Sequence, residues 1–330
     1  MSKKLLSVIF TLLVIAGLTS SAYSQTYTLF DPTGSTATYP QAISPTGEIV
    51  GYYYQGGTSA HGFLRNTDGS IVSFDPPGST TTQAASVNEV GQIVGYYQDV
   101  QLVGHGFLRG TDGTFLTIDP PASINAYAQA INSVGVIAGG YDDLALPHGF
   151  LRETDGTIVS FDAGGAGAQT IVSGINASGQ VTGDYTVIAT DATYGFIRNT
   201  DGTIASFIVS SFQTFPHNIN GAGQVTGFFY TPPNGTERGF IRNSNGSLVS
   251  IRDGTHGTDP FSINSKGQIV GYYIGDDRSF HGFLRQRDGT YLTIDPPASY
   301  YTQVLSINDA GQMTGFYADT LGTHGFLATK

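Results

Sequence analysis

The residues of this chain that could do acid–base or metal chemistry recur at fixed positions. Five of the seven histidines stand in a His-Gly-Phe motif, and four of these are followed fourteen residues later by an aspartate. Two repeats have Tyr194 and Arg238 in place of the histidine, and these same repeats lack the aspartate. Side chains that are present and absent together are typical of contacting partners. The pattern predicts five structural pairs, the last of them formed with the N-terminal segment: His61 with Asp75, His105 with Asp119, His148 with Asp162, His281 with Asp295, and His324 with Asp31.

A metal ion shared by these histidines is not expected. Equivalent residues on the third strand of neighbouring repeats would lie on the order of 10 Å apart, whereas zinc holds its ligands at about 2 Å. The chain contains no cysteine, which excludes thiolate metal ligands and disulfides. We therefore expect no metal site and no cofactor.

Residues that break the repeat form a second group that could carry chemistry. Positions 208 to 259 depart most from the pattern and contain the two histidines outside the motif. The candidate ligand-binding or catalytic residues in this stretch are His217, Glu237, Arg238, Arg252, His256 and Asp259. Drift in tolerant loops is the alternative explanation.

Several longer connections place an aromatic ring next to a carboxylate. This combination suits sugar binding, because the ring stacks on the apolar face of a sugar and the carboxylate accepts hydrogen bonds from hydroxyl groups. The candidate residues of this kind are Tyr97 and Asp99, Tyr141 and Asp142, and Tyr273 and Asp276.

A period of 44 residues positions all of these side chains. An asparagine followed three residues later by a glycine occurs at positions 88, 132, 176, 220, 264 and 308, and Ser44 with Gly47 fits the same register. Each repeat contains four short β-like runs separated by turn residues. A fixed period of this kind is typical of β-propellers. The sequence predicts an all-β, seven-bladed β-propeller with four antiparallel strands per blade.

The two ends of the chain indicate how such a ring would close. Residues 27–31 match a fourth strand and residues 324–327 match a third strand, so their pairing would remove two open sheet edges. Residues 1–24 have the basic start, apolar run and small final residue of a secretory signal peptide. We expect residues 25–330 to form one propeller domain.

The repeated segments Ser262-Ile263-Asn264, Gly267-Gln268-Ile269-Val270-Gly271 and His281-Gly282-Phe283-Leu284 resemble the HAF family of bacterial extracellular repeats. That family carries His-Ala-Phe where this chain has His-Gly-Phe. The resemblance covers nearly all of the chain after residue 24. It implies a secreted bacterial repeat protein, extracellular or periplasmic, and brings no established activity.

The net charge of the chain limits the classes of partner that it can bind. A formal net charge of −11 argues against binding nucleic acid or, once the signal is cleaved, an anionic membrane surface. No nucleophile elbow, phosphate-binding loop or zinc-protease motif is present in the sequence. We expect a monomer that binds an extracellular glycan on its variable-loop face. The alternatives are a polysaccharide lyase or hydrolase with its site in blades four to six, and a protein-interaction scaffold.

Overall fold

A computed structural model describes residues 25–210, 213–231, 235–251 and 256–330. The expected signal peptide lies outside these residues. Within the described part of the chain, no helix is long and apolar enough to cross a membrane. The described residues contain 28 β-strands.

The strands are short and follow the repeat. The first fourteen are β1 (Thr26–Phe30), β2 (Ala37–Ile43), β3 (Ile49–Tyr54), β4 (Ala60–Arg65), β5 (Ile71–Phe74), β6 (Thr81–Val87), β7 (Ile93–Gln98), β8 (Gly104–Arg109), β9 (Phe115–Ile118), β10 (Asn125–Ile131), β11 (Ile137–Asp142), β12 (Pro147–Arg152), β13 (Ile158–Phe161) and β14 (Ala168–Ile175). The others are β15 (Val181–Val187), β16 (Ala192–Arg198), β17 (Ile204–Phe207), β18 (Thr214–Ile219), β19 (Val225–Thr231), β20 (Thr236–Arg242), β21 (Leu248–Ile251), β22 (Gly257–Ile263), β23 (Ile269–Ile274), β24 (Phe280–Arg285), β25 (Tyr291–Ile294), β26 (Tyr301–Ile307), β27 (Met313–Asp319) and β28 (Gly322–Thr329).

Consecutive strands pair in antiparallel groups of four. Four groups are separate sheets: β6–β9, β10–β13, β14–β17 and β18–β21. The other twelve strands form one sheet, in which single parallel bridges, Phe280 with Tyr301 and Ala37 with Thr323, join three four-strand groups. One of these groups contains both the first and the last described strand, because β1 pairs with β28 from Thr26 opposite Thr329 onwards. The N-terminal strand therefore completes the C-terminal sheet, as the repeat pattern predicts.

The core lies between neighbouring sheets. One apolar cluster contains Val94 of β7, Ile118 of β9 and Ile137 of β11, so it joins two four-strand groups. The phenylalanine of the third strand is fully buried in every repeat. These residues are Phe63, Phe107, Phe150, Phe196, Phe240, Phe283 and Phe326. Burying one such ring stabilises the fold by roughly 2–3 kcal/mol.

Each first strand carries a β-bulge that leaves one residue without a cross-strand partner. In β6 the register shifts between Ala84 and Ser86, and in β18 it shifts between Pro216 and Asn218. The second strand approaches the first closely near this point, and a Cβ on its glycine, such as Gly183, would collide with a first-strand carbonyl oxygen. A bulge re-aims the side chain of its extra residue. Here that residue lines the central cavity described below.

The turns after the first strands are connected by a row of hydrogen bonds, the asparagine row. The side-chain Nδ2 of each asparagine donates to the backbone carbonyl of the equivalent residue in the next repeat, as from Asn220 to Asn264 at 3.1 Å. Asn308 donates to the carbonyl oxygen of Ser44 at 3.0 Å and so joins the last repeat to the first. Ser44 stands where the other repeats have asparagine, and its hydroxyl bonds to Glu48 instead.

Candidate functional site

Each of the five histidine–aspartate pairs expected from the sequence is hydrogen-bonded. The contact joins the histidine Nδ1 to a carboxylate oxygen at the end of the neighbouring fourth strand. The distances are 2.8 Å for His61 and Asp75, 2.9 Å for His105 and Asp119, 2.7 Å for His148 and Asp162, 2.7 Å for His281 and Asp295, and 2.7 Å for His324 and Asp31.

A second carboxylate, from the end of the second strand or the loop after it, approaches the other ring nitrogen in four of these repeats. His148 Nε2 lies 3.2 Å from Asp143, and the other three distances are 3.4 Å, for His105 and Asp99, His281 and Asp277, and His324 and Asp319. Burial lowers the pKa of His148, but the hydrogen bonds and charges of Asp162 and Asp143 outweigh it and raise the pKa. The same balance raises the pKa of His105 and His281.

The aromatic candidates of the long loops stack on these histidines. Tyr97 lies on His105 and Tyr141 on His148, each with 5.0 Å between ring centroids, and both tyrosines are at most 9% exposed. Tyr273 stacks on His281 in the same way. The rings of Tyr97 and Tyr141 are therefore covered by protein, whereas Tyr273 is half-buried with one face against His281. Of the acidic partners, Asp99 contacts His105, whereas the loop carboxylate at His281 is Asp277, one residue beyond Asp276. Asp142 lies 3.5 Å from the side-chain amide of Asn125.

A central cavity of about 610 Å³ is lined by the first strands and the turns that follow them. Its rim includes Glu89 and Asp309 from two of these turns. The sequence predicts a site on the variable-loop face, whereas this cavity opens among the Asn-x-x-Gly turns. The difference arises from the bulges, which supply one cavity-lining residue per repeat. The bulge residues are Gln41, Ala85, Gln129, Ser173, His217, Phe261 and Leu305.

His217 is the titratable member of this set of bulge residues. Its ring stacks on Phe228 at 5.5 Å and meets Phe261 edge to face at 5.2 Å. Nε2 lies 3.1 Å from Asp259 Oδ1, but the two atoms are not aligned for a hydrogen bond, and neither has another hydrogen-bond partner among the described residues. Because Nε2 is buried while 29% of the side chain is exposed, the remainder of the ring faces the cavity.

Asp184 lies close enough to His217 for the two charges to interact. Burial raises the pKa of Asp184 to about 7, and the charge of His217 opposes part of this shift. Asp184 and Tyr185 form a further aromatic–carboxylate pair in the sequence, which suggests a loop position, but Asp184 lies within β15. A carboxylate occupies a strand position where the other repeats have an aromatic residue or glycine, namely Tyr52, Tyr96, Gly140, Phe228, Tyr272 and Phe316.

Glu237 belongs to a neighbouring polar group. It accepts hydrogen bonds from the hydroxyls of Tyr272 at 3.0 Å and Tyr230 at 3.4 Å. Burial raises the pKa of Tyr272, and the charges of Asp259 and Glu237 raise it further. Asp259 is also the cross-strand neighbour of Tyr272, so the His217 and Glu237 groups adjoin.

The remaining candidates from the sequence lie apart from this cluster or outside the described residues. Arg238 follows Glu237 on β20, so its side chain leaves the opposite face of the strand. It occupies the position of the motif histidine in its repeat. His256 is half-buried just before β22. Arg252 lies outside the described residues.

Comparisons with known proteins define the class of fold. No protein-family model and no curated protein matches the chain. The β-propeller domain of the Trilobed protease from Pyrococcus furiosus matches with a TM-score of 0.63, 7% identity and coverage of 89% of this chain and 93% of that chain. The chain is therefore a β-propeller.

Two further solved structures share this fold. One is a catalytically inactive histidine-to-alanine variant of virginiamycin B lyase from Staphylococcus aureus with Quinupristin, with a TM-score of 0.62, 14% identity and coverage of 93% of this chain and 100% of that chain. The other is a lectin from Burkholderia pseudomallei, with a TM-score of 0.58, 11% identity and coverage of 89% and 96%. At these identities the likeness shows the fold alone.

Proposed function

We propose that this protein is a secreted, monomeric, seven-bladed β-propeller that binds an extracellular carbohydrate in its central cavity. The observation that carries the proposal is the ring of bulge residues. Ile43, Val87, Ile131 and their equivalents also line the cavity and repeat almost unchanged, whereas the bulge positions beside them differ among the repeats. A regular cavity wall that carries one variable residue per repeat fits a site adapted to an asymmetric ligand.

The chemistry of the cavity wall supports a polyhydroxylated ligand. Gln41 and Gln129 supply amide donors and acceptors, Ser173 supplies a hydroxyl, and Phe261 supplies a ring that can stack on a sugar face. The buried Nε2 of His217 and Oδ1 of Asp259 have unused hydrogen-bonding capacity next to this wall. The lectin of Burkholderia pseudomallei is consistent with carbohydrate binding on a related ring, although it fixes no ligand for this chain.

The test is binding of the exported protein to an array of plant and microbial polysaccharides, followed by titration of each hit. The double variant Gln129→Ala/Phe261→Ala removes a hydrogen-bonding amide and a stacking ring from the cavity. We expect it to weaken binding by about tenfold or more. The matched control is Gln98→Ala, at the far end of β7 from the Asn-x-x-Gly turns.

Two results would count against the proposal. An array without specific hits would contradict carbohydrate binding and favour a protein-interaction scaffold. Hits that Gln129→Ala/Phe261→Ala leaves unchanged would place the site outside the cavity, for instance on the variable-loop face.

A second candidate function is a polysaccharide lyase or hydrolase at the same cavity. The observation that favours it is the proximity of the cavity-facing His217 imidazole to the buried Asp259 carboxylate, at 3.1 Å. A hydrogen bond formed between them when a ligand binds would orient the imidazole as a general base. The virginiamycin B lyase variant is inactive after replacement of a histidine. We would incubate each array hit with the protein and follow chain cleavage. His217→Asn should abolish cleavage and retain binding, whereas hits that stay intact with the unaltered protein would exclude this function for them.

A further inference from the structure

A groove on the same face as the cavity mouth carries a concentration of positive charge. It lies between the β18–β21 group and the β22–β25 group and has a volume of about 380 Å³. Its basic lining residues are Lys266, Arg285 and Arg287. The groove shares Ile263 and Ser265 with the lining of the central cavity, so the two spaces adjoin.

The repeat supplies an internal comparison for this groove. The equivalent groove between the β10–β13 and β14–β17 groups has a volume of about 300 Å³ and keeps only the arginine, as Arg198. There Ser178 stands in place of Lys266, and Thr200 stands in place of Arg287. Glu153 in that groove corresponds to Asn243 in the basic one. The same architecture is therefore cationic at one position and has one charge of each sign at the other.

Among the described residues, no carboxylate forms an ion pair with the three cations, although Arg285 lies close enough to Asp288 for its charge to help lower the pKa of that carboxyl group. The ion pairs found within the described residues all join a histidine to an aspartate, and none involves Lys266, Arg285 or Arg287. Arg285 instead donates to the carbonyl oxygen of Gln286 at 3.3 Å and lies over the ring of Tyr291. Like charges that share a groove repel one another, and an anion placed between them would relieve that repulsion. In a chain of net charge −11, such a group is not explained by the overall composition.

We propose that this groove binds an anionic substituent, a carboxylate or a sulfate, on a polysaccharide whose adjacent sugar occupies the central cavity. The ligand class is then an acidic polysaccharide, and this step rests on the proposed carbohydrate-binding function. Arginine forks match planar carboxylates and sulfate oxygens, and lysine adds a point charge. The shared wall at Ile263 and Ser265 lets a single chain contact both spaces.

The test uses the variant Lys266→Ser/Arg287→Thr, which gives the basic groove the residues of its neutral counterpart. The matched control is Arg278→Ser/Lys330→Ser, which removes the same charge from positions outside the groove lining. The probes are oligogalacturonate for carboxylate, dextran sulfate for sulfate, and uncharged dextran. We expect one anionic probe to bind the unaltered protein and to lose about tenfold or more in affinity only in the groove variant. The installing variant Ser178→Lys/Thr200→Arg should create a second, weaker anion site.

Inorganic sulfate separates failure of this inference from failure of carbohydrate binding, because it needs no sugar. At matched ionic strength, we expect sulfate to raise the thermal midpoint of the control variant more than that of the groove variant. Equal midpoint shifts, or equal loss of oligogalacturonate and dextran sulfate binding in both variants, would overturn the groove assignment. A third result is that uncharged dextran or another neutral glycan binds the cavity, while sulfate shifts the thermal midpoints of the groove and control variants equally. This result would support carbohydrate binding and contradict an acidic polysaccharide as the ligand.

Discussion

At the scale of single residues, His217 in the cavity wall has two buried carboxylates near it, Asp259 and Asp184. Asp259 faces the imidazole of His217 at 3.1 Å, whereas burial raises the pKa of Asp184 to about 7. Buried carboxylates with displaced pKa values are frequent in functional sites, because such sites trade stability for chemistry. The cost of placing Asp184 here can be measured directly.

Replacing Asp184 by asparagine tests this cost. The pKa of Asp184 is raised from 3.8 to about 7, so the folded protein binds more protons than the unfolded chain between these values. Stability should therefore fall as pH rises from about 4 to about 7 and stay reduced above it. Asparagine resembles the protonated carboxyl group, so Asp184→Asn should raise the free energy of unfolding at pH 8 by up to roughly 4 kcal/mol and change it little at pH 4.

Urea unfolding of both proteins across this pH range makes the measurement. His217→Gln serves as the second variant, because removing the imidazole charge takes away the influence that lowers the pKa of Asp184. Its stability loss should then extend to higher pH. Parallel stability curves for the unaltered protein and Asp184→Asn would show that Asp184 does not titrate in this range.

At the scale of strands and turns, the asparagine row is interrupted at one repeat. Each asparagine bonds both its own turn and the next repeat, as Asn264 does with Gln268 and with the carbonyl of Asn308. Ser44 and Glu48 replace the asparagine and glutamine in the first repeat, and they bond to each other. The first turn thus lacks the side-chain connection to the second repeat that the other turns make.

Restoring the repeat residues should strengthen this turn. We expect Ser44→Asn/Glu48→Gln to raise the free energy of unfolding by about 1 kcal/mol, because it adds a buried hydrogen bond from the first turn to the carbonyl of Asn88. Chemical denaturation gives the value. Asn220→Ala is the opposite control and should lose about 2 kcal/mol, since it removes the bond to the Asn264 carbonyl and leaves the backbone N–H of Gln224 without its side-chain acceptor. A neutral or destabilising double variant would mean that Ser44 and Glu48 suit their turn better than the repeat residues.

The strands and the histidine pairs could be predicted from the sequence because they obey the repeat. Residues fourteen apart vary together, and a hairpin places such residues side by side. The cavity chemistry could not be predicted in this way. It depends on a bulge in every first strand and on the closeness of Asp184, His217 and Asp259, which come from three different repeats. Distances between side chains of different repeats are set by the packing of whole sheets. These distances cannot be calculated from the period of a sequence.

At the scale of the whole molecule, the ring depends on how its two ends meet. In other repeats the fourth strand follows the third through a short turn, so the chain itself keeps it in place. In the last sheet the fourth strand is β1, which reaches β28 from the opposite end of the chain. Phe30 of β1 is buried against Phe63, with 6.0 Å between centroids, and the Arg65 guanidinium lies 5.2 Å from its ring. Phe74 of β5 makes the same contacts with Phe107 and Arg109, at 6.2 Å and 5.1 Å.

Comparing substitutions of these two phenylalanines separates the effect of opening the β1–β28 pairing from the effect of losing a buried ring. Phe30→Ala and Phe74→Ala remove the same ring from equivalent surroundings, and each should cost about 3 kcal/mol of global stability. Phe30→Ala loosens β1, which no turn connects to its partner strand β28, whereas Phe74→Ala loosens β5, which a short turn connects to β4. Only Phe30→Ala should therefore increase hydrogen exchange at the β28 amides opposite β1. Exchange measured by mass spectrometry, with the β4 amides as reference, gives the comparison. Equal protection of β28 in the two variants would mean that β1 is held by more than its pairing and Phe30, and the closing contact of His324 with Asp31 would be the next to remove.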